Sequence, residues 1–225
     1  MTNNSSPRSF GPDNLAALID HTLLNPAATR ADVEKLCAEA LDHHFAAVCV
    51  YGSWVADCAR ILAGSGVKVA TVVGFPHGAV TSRAKARQTA ESVDLGAAEV
   101  DMVAPIGRIV DGDWDYVEDD VIGVVEAAAG RVVKVILETA ALDSERIILS
   151  AKIAKKAGAQ FVKTSTGFHP AGGASEAAVA LLRATVGGKL GVKAAGGIRD
   201  RETAMRMIAA GATRIGTSDG VALVR

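Results

Sequence analysis

The sequence is poor in aromatic residues and in cysteine. Aromatic side chains make up only 4% of its 225 residues, and it has three cysteines, Cys37, Cys49 and Cys58. An odd number of cysteines without metal-type or redox-type spacing excludes a disulfide framework or a zinc finger as the basis of the fold. We therefore expect reduced thiols, as in a cytoplasmic protein.

The sequence also lacks an excess of charge and any long apolar run. Its formal net charge is −1, which gives no reason to expect a nucleic-acid or membrane partner. No apolar run approaches the roughly 20 residues of a membrane-spanning helix. The polar N-terminus lacks the apolar core of a secretory signal, and we expect residues 1–12 to be a flexible tail. These absences predict a cytoplasmic protein.

Apolar residues are abundant, and most of them are small or β-branched. They make up 49% of the chain and are mainly alanine, valine, isoleucine and leucine. A chain of this length can bury about 70% of the surface that it exposes when unfolded. We found no linker and no low-complexity segment, so residues 13–225 are predicted to form one domain.

Short β-branched runs alternate with longer segments of helical pattern. Helix starts are predicted after Thr29 and Asp143, and helix ends at Gly96 and Gly158. The strand candidates are LIDHTLL, AAVCVYG, VKVATVVGF, EVDMVAP, VVKVILET, FVKTSTGF, VKAAGGI and RIGTS. This alternation is typical of a parallel sheet covered by helices.

Eight βα units of roughly 25 residues predict an α/β fold, a single (β/α)8 TIM barrel. The main alternative is an open, doubly wound sheet. That fold would place a glycine-rich turn after the first strand, and the segment DHTLLNPAAT contains no glycine.

In such a barrel, functional side chains come from the carboxyl ends of the strands and from the loops that follow. Because side chains alternate along a strand, Asp101, Lys163 and Lys193 converge at the barrel mouth if all three face inward. Among the polar residues within or at the ends of the strand candidates, this rule singles out Asp20, Thr22, Cys49, Asp101, Glu138, Lys163 and Lys193.

Two lysines lie in apolar surroundings, Lys163 in FVKTSTGF and Lys193 in GVKAAGG. A lysine beside a second cation in a dry site has a lowered pKa, and its free amine can attack a carbonyl. Lys163 is therefore a candidate nucleophile, Lys193 the neighbouring cation, and Asp101 a group that transfers protons. The alternative is that each lysine pairs with a carboxylate for structural reasons.

Glycine-rich loops follow the seventh and eighth strand candidates. These are Gly196-Gly197 and the segment GTSDG, which begins at Gly216. Loops at these two positions of a barrel often bind phosphate, together with the N-terminus of a short helix. The final segment SDGVALVR has a suitable length for that helix. Ordinary turns are the alternative.

The histidines and the acidic run do not suggest a metal site. His21 is predicted to face away from Asp20, and His43-His44 to lie at a helix end. The run DGDWDYVEDD lacks the pattern of an EF-hand loop, so we interpret it as a helix start. No metal and no cofactor are predicted.

Taken in order, several motifs resemble the deoxyribose-phosphate aldolase family. They are DHTLL, VCV, VVGFP, EVDMV, VKVILET, FVKTSTGF, VKAAGGIR and RIGTS, and they extend from about Asp20 to the C-terminus. The resemblance implies a metal-free Schiff-base aldolase on a (β/α)8 barrel. It further implies reversible cleavage of 2-deoxy-D-ribose 5-phosphate to acetaldehyde and D-glyceraldehyde 3-phosphate, in deoxyribonucleoside catabolism.

The resemblance also implies roles for individual residues. Lys163 matches the family's Schiff-base lysine, Lys193 the second lysine and Asp101 the proton-transfer aspartate. The positions expected to contact substrate are Asp20, Thr22, Cys49, Thr164, Gly196, Gly197, Gly216 and Ser218. We expect a homodimer or a higher homo-oligomer.

The sequence departs from the family pattern at a few positions. Asp219 stands where a second serine is more common, and a carboxylate there should weaken phosphate binding unless it points away. Pro105, His77 and Val80 also replace more common residues. These departures bear on phosphate affinity and loop detail more than on the type of reaction.

Two other functions compete with the aldolase. A proton-transfer isomerase would use Asp101 but would give no reason for two inward lysines. A non-catalytic sugar-phosphate sensor would predict a broken lysine–lysine–aspartate set, and here the set is complete.

Overall fold

A computed structural model describes residues 15–225, which form a closed barrel of eight parallel strands. This confirms the predicted (β/α)8 fold. The predicted tail, residues 1–12, and the predicted start of the domain at residue 13 lie outside the described residues. The strands are β1 Ile19–Leu23, β2 Ala47–Val50, β3 Lys68–Val73, β4 Glu99–Val103, β5 Val132–Ile136, β6 Phe161–Lys163, β7 Gly191–Ala195 and β8 Arg214–Thr217.

The helices surround the barrel, and each predicted helical segment contains one. They are α1 Arg30–Asp42, α2 Val55–Ile61, α3 Ser82–Asp94, α4 Ile106–Asp111, α5 Trp114–Ala127, α6 Ser144–Lys156, α7 Glu176–Val186, α8 Arg201–Ala209 and α9 Gly220–Val224. None of the helices within residues 15–225 is long and apolar enough to cross a membrane.

Side-chain caps explain where the helices begin. Thr29 forms a capping box with Asp32 at the start of α1, and Asp143 accepts the Arg146 N–H at the start of α6. The acidic run begins a helix, as predicted, because Asp113 caps α5. Gly158 has a φ of 93°, a left-handed conformation that glycine adopts without strain, and it ends the α6 segment.

The strands are buried on both faces, as is typical of a parallel barrel. All four residues of β2 are buried, and β8 closes the barrel by pairing with β1, where Ile215 lies beside Ile19. His21 faces outward as predicted, and its Nε2 lies 2.7 Å from Glu39 Oε2 on α1. Asp20 therefore points into the barrel interior.

A buried ion pair outside the barrel fixes the end of β4. The Lys85 Nζ atom on α3 lies 2.6 Å from Asp120 Oδ2 on α5 and donates to the Val103 carbonyl at 2.8 Å. Val103 is the last residue of β4, the strand that carries Asp101. This contact holds α3, α5 and the carboxyl end of β4 together.

Candidate active site

Seven charged side chains meet inside the barrel, and we call them the charge cluster. They are Asp20, Glu99, Asp101, Lys134, Lys163, Lys193 and Arg214. Strand register brings them together: Lys163 lies directly beside Lys193 across β6 and β7, and Asp101 lies beside Lys134 across β4 and β5. The predicted convergence of Asp101, Lys163 and Lys193 is present.

Asp101 is at the centre of the charge cluster. Its Oδ2 atom accepts hydrogen bonds from both Lys163 Nζ and Lys193 Nζ, each at 2.8 Å. Its Oδ1 atom accepts one from Lys134 Nζ at 2.6 Å. One carboxylate therefore contacts both lysines that the sequence singled out, together with a third lysine.

The remaining members form a second group of ion pairs around Asp20. The Asp20 carboxylate contacts Lys193, and it also lies 2.6 Å from Arg214 Nη1. Glu99 Oε2 lies 2.7 Å from Lys134 Nζ and 3.0 Å from Arg214 Nη1. Arg214 thus bridges two carboxylates, whereas Lys134 contacts three, because its Nζ also lies 3.4 Å from Asp20 Oδ2.

The charges of the cluster do not balance if every member is ionised. Four cations face three carboxylates, so one positive charge has no counterpart within the cluster. An uncompensated buried charge is costly, and a buried amine avoids that cost by losing its proton. Lys163 contacts Asp101 alone, whereas Lys193 contacts both Asp101 and Asp20. Lys163 is therefore the amine most easily left neutral.

The pKa shifts of the two lysines have opposite directions. Burial lowers the pKa of Lys163, and the nearby charge of Lys193 adds to this against the attraction of Asp101. Burial also disfavours the charged form of Lys193, but the carboxylates of Asp101 and Asp20 raise its pKa overall. The prediction that Lys193 depresses the pKa of Lys163 therefore holds in direction, although burial contributes more.

Asp20 and Asp101 remain ionised inside the barrel. Burial alone would raise the pKa of Asp101, but Lys134, Lys163 and Lys193 together hold it well below its usual range. The pKa of Asp20 is likewise lowered, because Lys134, Lys193 and Arg214 outweigh its burial. In the resting site the proton therefore stays on Lys193, and the carboxylates act as acceptors.

A pocket of about 490 Å³ opens above Lys163, and we call it the substrate pocket. Five of the residues predicted to contact substrate line it: Thr22, Gly196, Gly197, Gly216 and Ser218. Arg199 and Asn25 also line it and were not predicted. The pocket therefore extends from the Lys163 amine to the two glycine-rich loops.

Two glycines near the substrate pocket, Gly216 in β8 and Gly173 in the loop after β6, are required by close contacts. A Cβ atom at Gly216 would lie 3.0 Å from the Cε atom of Lys193, so glycine leaves room for that lysine to reach the charge cluster. A Cβ atom at Gly173 would lie 2.2 Å from the Gly196 carbonyl oxygen. The loop after β6 can therefore approach the loop after β7 only with glycine at position 173.

Three predicted substrate contacts lie away from the pocket lining. Asp20 is fully buried in the charge cluster, and Cys49 packs in an apolar group with Ala70 and Val72. The Thr164 hydroxyl accepts the Ala195 N–H at 3.1 Å and lies 3.2 Å from the Ala195 carbonyl oxygen. Thr164 thus joins β6 to β7, while Asp20 and Cys49 lie in the barrel interior.

The family departures lie outside the substrate pocket. Asp219 is exposed at the start of α9 and is not among the residues that line the pocket. His77, Val80 and Pro105 line a separate groove of about 600 Å³ near α4. Asp219 thus belongs to the GTSDG segment without lining the substrate pocket, and its effect on phosphate binding stays a prediction.

Lys134 and Arg214 are the main charged residues that the sequence analysis missed. Lys134 is the third residue of β5, and Arg214 is the first residue of β8. Both belong to strand candidates, Lys134 to VVKVILET and Arg214 to RIGTS, but the sequence analysis did not select them there. A search for charges in apolar strand runs would have found Lys134.

Within residues 15–225, no group of three or more histidine, cysteine, aspartate or glutamate side chains is arranged to hold a metal ion. The reactive group that the geometry offers is the Lys163 amine at the barrel mouth. A barrel of this topology with such an amine beneath a pocket belongs to the class of (β/α)8-barrel aldolases.

The comparison with protein families agrees with the geometry. The model of the DeoC/LacD family aldolases matches residues 15–225. The chain belongs to this family.

Relatives match along almost the whole chain. A deoxyribose-phosphate aldolase of Geobacillus sp. (strain WCH70) is 53% identical over 94% of this chain and 95% of its own length. One from Brevibacillus brevis is 51% identical over the same shares of the two chains. Among solved structures, the deoxyribose phosphate aldolase of Aeropyrum pernix, described as a unique tetramer, has a TM-score of 0.88 and 35% identity, and covers 95% of this chain and 91% of its own.

Removal of Lys134 should destabilise the fold. We expect Lys134→Met to lower the free energy of unfolding by about 1.5–3 kcal/mol near neutral pH, because buried carboxylates lose a charged hydrogen-bond donor while three cations still face three carboxylates. The lowered pKa values of Asp20 and Asp101 stabilise the fold above about pH 4, and this contribution is lost as the pH falls further. The difference between wild type and variant should therefore shrink in acid.

Urea unfolding at neutral pH and below pH 4 measures this effect. Lys156→Met is the matched control, since it removes an exposed ion pair with Glu118 that is worth about 1 kcal/mol or less. Equal losses for the two variants would contradict the stabilising role of Lys134.

Proposed function

We propose that this protein cleaves 2-deoxy-D-ribose 5-phosphate reversibly into acetaldehyde and D-glyceraldehyde 3-phosphate through a Schiff base on Lys163. The observation that carries the proposal is the unmatched cation of the charge cluster. Lys163 is the member with the lowered pKa that also lines the substrate pocket. Relatives at about half identity bear the name deoxyribose-phosphate aldolase.

The reaction begins at the neutral Lys163 amine. Its nitrogen attacks the C1 aldehyde of the open-chain sugar, and loss of water gives a protonated Schiff base. Loss of the proton from the C3 hydroxyl breaks the bond between C2 and C3, and its electrons move into the iminium to form an enamine. Glyceraldehyde 3-phosphate leaves, C2 gains a proton, and water then releases acetaldehyde from Lys163.

Asp101 and Lys193 supply the proton path in this proposal. Asp101 Oδ2 lies 2.8 Å from both amines, so it can pass a proton between Lys193 and the nitrogen at Lys163. Lys134 holds the other oxygen of the carboxylate at 2.6 Å and fixes its orientation. These hydrogen bonds position Asp101 without placing it in the pocket lining.

The substrate phosphate is proposed to bind the loops after β7 and β8. Gly196 and Gly197 have φ values of 89° and 82°, which turn this loop tightly at the pocket wall. Ser218 offers a hydroxyl at the same wall, and Arg199 provides a positive charge. Thr22 lines the pocket on the β1 side and completes the proposed contacts.

The cellular setting and assembly are also proposals. The relative from Aeropyrum pernix is described as tetrameric, and this supports a homo-oligomer for this chain. The three cysteines, which we expect to be reduced thiols, support a cytoplasmic location. The net charge of −1 supports the absence of nucleic-acid and membrane partners. Residues 13–225 are proposed to form the single catalytic domain.

Borohydride reduction tests the Schiff base directly. After exhaustive EDTA treatment, acetaldehyde and borohydride should add one ethyl group to Lys163, because reduction converts the imine to a stable secondary amine. Peptide mass spectrometry locates the adduct, and Lys163→Leu is the control that should lack it. An adduct on another lysine, or activity that returns only when metal is added, would overturn the proposal.

The pH dependence of activity tests the role of Lys193. Lys193→Leu removes a cation that lowers the pKa of Lys163, so that pKa should rise. The rising limb of the pH–rate profile should then move to alkaline pH by on the order of one unit, with most of the loss near neutral pH.

Two further variants complete this test. Lys193→Arg keeps a charge and should restore part of the neutral-pH rate, whereas Lys163→Leu should be inactive at every pH. An equal loss at all pH values in Lys193→Leu would instead assign Lys193 to direct proton transfer or substrate positioning.

Substitution at the loop after β8 tests the phosphate site. Ser218→Asp adds a negative charge at the pocket wall and should weaken apparent affinity for deoxyribose 5-phosphate about tenfold, or about 1.4 kcal/mol. Cleavage of unphosphorylated deoxyribose should fall much less. Asp219→Ser is the matched control and should leave phosphate affinity near that of wild type, because Asp219 lies outside the pocket lining. Parallel losses on both substrates would argue against the site.

A further inference from the structure

Glu138 lies two residues after the end of β5 and takes no part in the proposed reaction. Its backbone has a φ of 56° and a ψ of 57°, a left-handed conformation that is costly for a residue with a side chain. Strain of this kind persists only where surrounding contacts impose it, and it is concentrated at functional sites. The contacts around Glu138 therefore indicate what it does.

The hydrogen bonds between the chain after β5 and the chain at the end of β6 show a bulge at Glu138. The Leu137 N–H donates to the Lys163 carbonyl at 3.0 Å. Two residues later, the Thr139 N–H donates at 2.8 Å to the Thr164 carbonyl, which is only one residue further along its own strand. Glu138 is thus an extra residue in the ladder. A bulge changes the direction of the side chain that it carries, and bulges are common next to active sites.

The carboxylate of Glu138 binds the loop after β6. Glu138 is 1% exposed, and its Oε2 atom accepts the Thr166 hydroxyl at 2.5 Å and the Thr166 N–H at 3.2 Å. Every hydrogen bond that this carboxylate accepts within residues 15–225 comes from Thr166. A buried carboxylate that loses its donors is costly, so Glu138 and Thr166 hold each other in place.

Thr166 is followed by Gly167, and this turn packs against the loop after β7. Both residues line the substrate pocket, as does Gly196. A Cβ atom at Gly196 would lie 3.3 Å from the Cα atom of Gly167 and 3.0 Å from that of Gly173. The Ala174 N–H also donates to the Gly196 carbonyl at 3.0 Å. A shift of Thr166 would therefore move a turn that supports Gly196.

We propose that Glu138 is a positioning residue for the substrate phosphate, and that it acts on Gly196 through the turn formed by Thr166 and Gly167. This inference rests on the phosphate site proposed at the loops after β7 and β8. Glu138 lines a separate pocket of about 230 Å³ and not the substrate pocket. It therefore holds the turn without placing a negative charge against the phosphate.

The affinity for inorganic phosphate tests this inference without turnover. Titration followed by protein NMR measures Kd for the wild type and for Glu138→Gly, in which glycine adopts the left-handed backbone without strain and lacks the carboxylate. We expect Kd to rise about tenfold, the effect of losing a hydrogen bond to a charged group. KM for deoxyribose 5-phosphate should rise by a similar factor. Both kcat and the cleavage of unphosphorylated deoxyribose should stay near their wild-type values.

Three further variants separate positioning from other roles. Glu138→Gln keeps a neutral acceptor for Thr166 and should retain most of the phosphate affinity. Thr166→Val removes the hydroxyl partner and should also weaken binding. The variant that combines Glu138→Gly with Thr166→Val should bind about as weakly as the weaker single variant, because both changes act through one contact.

Gln88→Ala is the matched control at the same end of the barrel. The Gln88 Oε1 atom accepts the Gly74 N–H at 2.9 Å and so positions the loop after β3 instead of the loop after β6. Loss of this side chain should leave Kd for phosphate unchanged. Each protein is also treated with acetaldehyde and borohydride to detect the adduct on Lys163.

The outcomes separate this inference from the proposed function. An unchanged Kd in Glu138→Gly and Thr166→Val, additive losses in the double variant, or an equal rise in Gln88→Ala would overturn the role of Glu138 alone. Equal losses of kcat/KM on phosphorylated and unphosphorylated deoxyribose would do the same. Phosphate binding that Ser218→Asp leaves unchanged would instead overturn the proposed phosphate site, and this inference with it. Absence of the adduct in the wild type would overturn the Schiff-base function, while the phosphate titrations would still decide the role of Glu138.

Discussion

The active site depends on an imbalance of charge inside the barrel. Three buried lysines and the partly buried Arg214 face three buried carboxylates, and a fully ionised cluster would leave one positive charge uncompensated. The protein can relieve this cost most easily at Lys163, which has a single carboxylate partner. The interior that stabilises the fold thereby also prepares a neutral amine for attack on an aldehyde.

Strand register gives this electrostatic arrangement its geometry. Lys163 and Lys193 are direct neighbours across β6 and β7, and both reach the same oxygen of Asp101 on the far side of the barrel. Gly216 leaves room for the Lys193 side chain, and Lys85 holds the end of β4 from outside. A shift of one residue in any of these strands would turn its charged side chain out of the barrel. The strand register that closes the barrel therefore also brings the reacting side chains together.

Much of this could be predicted from the sequence, because the barrel is built from local patterns. Each strand candidate contains a strand, and Thr29 and Asp143 cap the helices that they were predicted to begin. Alternation along the strands allowed Asp101, Lys163 and Lys193 to converge if all three faced inward, and the structure shows that they do. The same alternation predicts that Thr164, next to Lys163, faces away from the pocket. In the structure its hydroxyl does so and joins β6 to β7.

Other features depend on contacts between distant segments and could not be predicted in this way. Lys134 and Arg214 belong to the charge cluster through partners on other strands. Burial is the largest cause of the lowered pKa of Lys163, and it could not be predicted without knowing which side chains cover this lysine. The loop after β5 is joined to the loop after β6 because the Glu138 carboxylate accepts a hydrogen bond from the Thr166 hydroxyl.

The central claim is that Lys163 loses its proton more readily than the lysines around it. Carbon-13 NMR of the lysine Cε atoms, assigned with single-lysine variants and followed as a function of pH, measures this directly. The account predicts that Lys163 titrates below 10.5, the ordinary value for lysine, and that Lys193 titrates above it. A Lys163 that stays protonated to higher pH than Lys193 would contradict the account.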